Sequence, residues 1–303
     1  MEPLNRESPS VQFYAFAVLD MLDIKGPIGG VRPSIHLIGV PTDQNSSFER
    51  GAAFGPASIR DALWSDRGNL STQSGLEIGI DIDLIDKGDL HLSDTDCASD
   101  DMFIKVAITE AMEAGAVPIS LGGDHAVTYP LVAAIAEIHG PVSILHFDAH
   151  PDLYANFEEN PRSHASPFAR IMEGGHATRL VQVGIRTLTR HCHDQAERFG
   201  VEILPMSGFR ADLVPILEGP LYISVDLDGI DPSEAPGVAH PEPGGLTLRE
   251  VLACLAKQKA RIVGADIVEL NPARDVNNVT AILAAKLVRE LAALIHINNQ
   301  ELS

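Results

Sequence analysis

Basic residues are scarce in this chain: 22 Lys and Arg stand against 42 Asp and Glu, a formal charge of −20. Such a balance repels a phosphate backbone, so nucleic acid is excluded as an expected partner. Cysteine is scarce too. Cys97, Cys192 and Cys254 lie far apart in no Cys-x-x-Cys pair, which excludes a disulfide framework and a thiolate zinc site and fits a reducing compartment. Long apolar runs are missing: no stretch approaches the roughly 20 residues that span a bilayer. The first thirty residues carry Glu2, Glu7, Asp20 and Asp23 where a secretory signal needs a basic start and an apolar run. These absences predict a cytoplasmic protein with no membrane partner.

What is present suffices for a large core. With 303 residues, 45% hydrophobic and 21% charged, the chain is not disordered. Short Val, Ile and Leu runs alternate with segments of helical period, the pattern of a parallel sheet covered by helices, and so of the α/β class. Strands are predicted at Ser34–Val40, Asp81–Ile85, Ala116–Leu121, Val142–Phe147, Leu180–Gly184, Leu221–Val225 and Arg261–Val268. Helices are predicted at Asp101–Ala114, Thr128–Ile138, Phe168–Glu173, Arg190–Phe199, Leu248–Lys259 and Val279–His296, the last capped by Asn277 or Asn278. Residues 41–57 are rich in turn formers and read as a long loop at one end of the sheet. No linker divides the chain, so residues 34–303 read as one domain. Residues 1–33 read as an extension, with a helix at Val11–Leu22, packed on the body or a neighbouring subunit.

Three predicted strands run into polar clusters at their C-terminal ends: Gly122-Gly123-Asp124-His125, Asp148-Ala149-His150-Pro151-Asp152 and Asp226-Leu227-Asp228. Loops at those ends build the sites of open α/β sheets. Alternation along an extended segment would place Asp148, His150 and Asp152 on one face, and likewise Asp226 and Asp228. Clustered carboxylates repel, and one or more takes up a proton unless a cation sits among them. Four carboxylates balance two divalent ions, with His125 and His150 adding neutral nitrogen, and oxygen-rich ligation without thiolate favours a hard ion such as manganese.

The clusters, together with the Ser224–Gly245 segment and its Pro232, Pro236 and Gly237, resemble the motifs of the ureohydrolase (arginase/agmatinase) family, specifically the agmatinase-like branch that includes plant arginases. The resemblance runs from about Ile35 to the final helix. It implies a three-layer α/β/α fold with a mainly parallel sheet, two Mn2+ ions (with Ni2+ or Co2+ as alternatives), and a homotrimer or homohexamer. It implies that His125, Asp148, Asp152 and Asp226 hold one ion, and that His150, Asp148, Asp226 and Asp228 hold the other. Asp124 resembles a group that orients a ligand, with a helix cap as the alternative.

A guanidinium carbon is a poor electrophile and neutral water a poor nucleophile. Two metals lower the pKa of a bound water, and a carboxylate can fix the guanidinium by paired hydrogen bonds. Glu269 resembles the family's guanidinium-binding glutamate, and His164 the histidine that relays a proton to the departing amine. The loop after Asp152 departs from the Ser, Thr and Asn-rich stretch of animal and many bacterial arginases. Its Glu158 and Glu159 would repel an arginine carboxylate. Agmatine is therefore the first expected substrate, with arginine, guanidinobutyrate and guanidine as alternatives. Tyr154, Asn156, Glu158 and Arg186 are the expected readers of the substrate tail. A catalytically silent subunit is the reading from another class, and retention of the metal ligands, His164 and Glu269 argues against it.

Overall fold

The computed structural model describes residues 33–93 and 97–300. The expected extension over residues 1–33, with its helix, lies outside these but for Pro33. Eight strands form one sheet: β1 (Ser34–Val40), β2 (Asp83–Asp89), β3 (Ala116–Gly122), β4 (Val142–Phe147), β5 (Ala177–Ile185), β6 (Glu202–Pro205), β7 (Leu221–Asp226) and β8 (Ile262–Val268). Their spatial order is β2-β1-β3-β8-β7-β4-β5-β6, and every pair is parallel. The helices are α1 (Gly55–Leu63), α2 (Cys97–Glu113), α3 (Thr128–His139), α4 (Pro167–Glu173), α5 (Arg190–Phe199), α6 (Leu248–Ala256) and α7 (Val279–Gln300).

Strand alternation divides the core between two faces. Leu145 and Phe147 of β4 join one apolar cluster, with Ile59 of α1, Val251 of α6 and Leu287 of α7. Val142 and Ile144 join the other, with Ile104 of α2, Leu131 of α3, Phe168 of α4 and Ala196 of α5. Each fully buried Leu or Ile contributes about 1.5–3 kcal/mol relative to exposure, so both faces are strongly held. The result is a three-layer α/β/α fold.

Three details differ from the sequence reading. The expected loop over 41–57 ends in a 3-10 turn, Ala52–Phe54, and gives its last residues to α1, which has Pro56 in its first turn where a missing N–H costs nothing. The edge strand β6 is new: it is four residues long and only partly buried, too short to show a period. Neither Asn277 nor Asn278 caps α7. Both take left-handed φ, 54° and 61°, in the preceding turn, while the Asp275 carboxylate accepts from the Thr280 and Ala281 amides.

Candidate metal centre

β3, β8, β7 and β4 are consecutive in the sheet, and all four deliver polar residues at their C-terminal ends. Beyond β3, Gly123 passes so near Thr42 that a Cβ would lie 1.7 Å from its carbonyl oxygen, so only glycine lets the chain turn there. Asp124 then caps a 3-10 turn by accepting from the Ala126 amide, and its other oxygen accepts from the Asn45 amide. That is the capping alternative. Burial first, then the Glu269 charge, pushes its carboxyl up to about 7.

Strand alternation does not gather the acids, because β4 ends before Asp148. The His150 amide instead donates to Asp148 Oδ1 at 2.5 Å, and Asp152 takes a left-handed φ of 50°. Asp228 lies in a 3-10 turn whose amide donates to Asp226 Oδ1 at 2.8 Å. The outcome is convergence. His125 Nδ1 lies 3.2 Å from Asp148 Oδ2, 3.0 Å from Asp152 Oδ2 and 3.0 Å from Asp226 Oδ2. His150 Nδ1 lies 3.4 Å from Asp148 Oδ1 and 3.1 Å from Asp228 Oδ2. Two donor sets suited to metal stand side by side, an inner one of His125, Asp148, Asp152 and Asp226 and an outer one of Asp148, His150 and Asp228, and His146 forms a further group with His125 and Asp148.

The donors fit a cation. His125 Nδ1 is buried among three carboxylate oxygens yet makes no well-aligned hydrogen bond to any of them, so a cation among them could take its place as their partner. The other ring nitrogen explains this. Ser224 Oγ donates to Asp266 Oδ1 at 2.7 Å, while Tyr222 and Thr128 hydroxyls donate to Oδ2. Having given its proton to Asp266, Ser224 accepts from His125 Nε2–H at 3.1 Å, which leaves Nδ1 as the ligand atom. Without a metal the cluster is short of positive charge. Burial and then repulsion from Asp228 and Asp148 hold Asp226 well above the usual carboxylate range, and Asp228 is pushed up to about 6 chiefly by burial. Burial favours a neutral His125, but the three facing carboxylates outweigh it and raise its pKa well above the ordinary value.

Glu269 follows β8 with a left-handed φ of 67°, a strained conformation for this residue type. Its Oε1 accepts from the His125 amide at 2.9 Å and faces His164 Nδ1 at 3.0 Å. His164 Nε2 meets Ser47 Oγ at 2.9 Å, so the 41–54 loop reaches the site. A cleft of about 210 Å³ opens here, lined outward of the acids by Ser47, Tyr154, Phe157, Thr187, Thr189 and His240.

The tail-reading candidates fare differently. Tyr154 lines the cleft. Asn156, Glu158 and Arg186 do not. Asn156 and Glu158 are exposed, and the Arg186 guanidinium is engaged by the carbonyls of Gly184, Asp228, Gly229 and Glu242 behind the site. Sequence reasoning missed Ser47, His146, Gln182, Ser224, His240 and Asp266. His146 and Ser224 each stand two residues before a site aspartate, but that spacing alone assigns no role, which comes from their pairing across β4 and β7.

The sequence model of the Arginase family matches residues 33–293. Arginase 1, mitochondrial, of Arabidopsis thaliana is 49% identical over 284 residues, covering 88% of this chain and 83% of its own. Agmatinase, mitochondrial, of Gallus gallus is 34% identical, covering 95% and 89%. The solved arginase of Medicago truncatula superposes with a TM-score of 0.84 at 44% identity, covering 88% of this chain and 89% of its own. The chain belongs to the arginase family and is a ureohydrolase, a hydrolase of guanidino compounds. The cytoplasmic expectation is corrected by plant relatives named mitochondrial or chloroplastic, which point to an organelle. The scattered cysteines behind that expectation are equally compatible with an organelle interior. Among the described residues no helix is long and apolar enough to cross a membrane.

Proposed function

We propose that this protein is an arginase of the plant type, converting L-arginine to L-ornithine and urea with two Mn2+ ions. The observation that carries the choice over agmatine is 49% identity to a plant arginase against 34% to an animal agmatinase. The cleft supports it. The agmatine expectation rested in part on Glu158 and Glu159, which are exposed and absent from the lining, where the outer residues are instead neutral hydroxyls, aromatics and His240. Such donors suit the carboxylate of a zwitterionic tail.

The inner set would hold one ion and the outer set the other, with Asp148 common to both and Asp226 added to the outer set as the family resemblance implies. Two bound ions supply the Lewis acidity that makes hydroxide available near neutral pH. Glu269 pairs with the guanidinium and fixes its carbon: Oε1 is occupied by His125 and His164, and Oε2 is left for the substrate. His164 carries the proton destined for the departing amine. Burial alone would lower its pKa, but the Glu269 carboxylate raises it to about 9, so the ring holds that proton at neutral pH. Assembly as a homotrimer or homohexamer belongs to the same proposal and is read by light scattering.

The test is kcat/KM for L-arginine, agmatine and guanidinobutyrate on one manganese-loaded preparation. We expect L-arginine to be preferred. Preference for agmatine would return the protein to the agmatinase reading and leave the metal chemistry intact.

A further inference from the structure

His146 plays no part in the scheme above, yet it is fully buried beside the donor sets, and its ring nitrogen lies within ligand distance of His125 and Asp148 atoms. Whether it binds metal depends on which nitrogen bears the proton. Nε2 lies 2.9 Å from Asp148 Oδ2, and Nδ1 lies 3.0 Å from Gln182 Nε2, on the neighbouring strand in direct register.

Gln182 settles the tautomer. Its Nε2 also lies 2.6 Å from the Pro151 carbonyl oxygen, and a carbonyl only accepts, so this end of the side chain is the amide NH2. One amide hydrogen goes to Pro151 and the other to His146 Nδ1, which must present a lone pair. The imidazole proton is therefore on Nε2 and points at Asp148. Phe168 packs on the ring with centroids 4.0 Å apart, and His125 meets it edge-on at 5.1 Å, so the ring cannot turn freely.

We propose that His146 is a positioning residue and not a metal ligand: its Nε2–H holds Asp148 Oδ2, and Gln182 fixes the ring in that tautomer. The proposal rests on the two-metal reading of the site. Asp148 is the residue common to both donor sets, and its two oxygens divide between them. Oδ2 faces His125, and Oδ1 takes the His150 amide and faces the His150 ring. Rotation of the carboxylate would spoil both sets at once. The His150 amide restrains one oxygen, and the His146–Gln182 strut restrains the other.

The experiment measures Mn2+ affinity and stoichiometry by electron paramagnetic resonance titration, alongside thermal unfolding of the metal-free chain. His146→Phe keeps a ring against Phe168 and removes the donor. Gln182→Met keeps the volume and frees the tautomer. His146→Gln offers an amide N–H in place of the imidazole. We expect His146→Phe to bind Mn2+ about 10- to 100-fold more weakly while still taking up the wild-type number of ions at saturation. Gln182→Met should shift affinity the same way by less, and His146→Gln should recover part of the loss. Unchanged affinity in both His146→Phe and Gln182→Met, with only a lower unfolding temperature, would overturn the proposal by reducing the strut to packing. Loss of one ion per chain at saturating Mn2+ in His146→Phe would overturn it by making the ring a ligand. A wild-type chain that takes up no divalent ion would overturn the metal-centre reading itself and the proposal with it. If His146→Phe does not fold, Gln182→Met carries the test alone.

Discussion

The inner and outer donor sets share Asp148 but differ in surroundings. His125 is fully buried, and its ring is fixed through Ser224 to Asp266, which also takes the hydroxyls of Tyr222 and Thr128. His150 has 31% of its side chain exposed and lines the cleft. The two histidines mark the difference: His125 stands in the sheet's polar interior and His150 at the mouth of the cleft, which Asp152, Asp226 and Asp228 also line. A preorganised, buried set holds an ion more tightly, whereas a set open to the cleft exchanges its ion faster and stands nearer the substrate.

Removing Asp148, common to both sets, or Asp226, which the family resemblance adds to the outer set, should have the largest effect. Asp148→Ala or Asp226→Ala is expected to lower kcat/KM at least a hundredfold, about 2.7 kcal/mol or more, with metal content reduced. Steady-state kinetics paired with metal analysis checks this. Glu269→Gln separates substrate from metal: kcat/KM should fall at least tenfold, about 1.4 kcal/mol or more, with metal retained. Loss of metal with full turnover per remaining ion would misassign Glu269. Comparing His125→Asn with His150→Asn sharpens the contrast itself. The inner variant should lose more Mn2+ affinity, by about tenfold, because its neighbouring carboxylates stay buried without a partner. Equal losses would remove the distinction between the sets.

A smaller effect concerns pH. The folded pKa of His164, about 9, lies above the ordinary histidine value. Its pairing with Glu269 therefore contributes stability that is fully present below about pH 6.5 and is lost as pH rises through about 9. Glu269→Gln removes the main cause, so the His164 titration followed by NMR should move down toward the ordinary value. Activity of the parent should rise from acid toward neutral pH, as the ligand carboxylates release protons to hold the ions, and an optimum near ~5 contradicts that.

Regular elements with strong local signals were legible in the sequence. β4 and α5 match residue for residue, because each is bounded by clear turn or cap signals, Thr189 and Gly200 in the case of α5. β6 is too short to carry a period, and α1 hid behind Gly55 and Pro56. The six metal-ligand candidates are legible for a simple reason: each cluster lies within five residues of chain, at a strand end. Ser224, Asp266, His146 and Gln182 were not, because their meaning comes from register. They stand in one row across β8, β7, β4 and β5, which no local window reveals. Arg186 misled for the converse reason. A guanidinium beside a predicted site looks like a substrate reader, and only the fold shows four carbonyls already engaging it.

The most direct measurement for the central claim is manganese bound per chain, followed together with urea release as the ion is titrated into stripped protein. The account predicts no turnover without metal, tight uptake of a first ion, weaker uptake of a second, and activity that reaches its full value only as the second is bound. Full turnover in verified metal-free protein, or saturation of both binding and activity at one ion per chain, would contradict it.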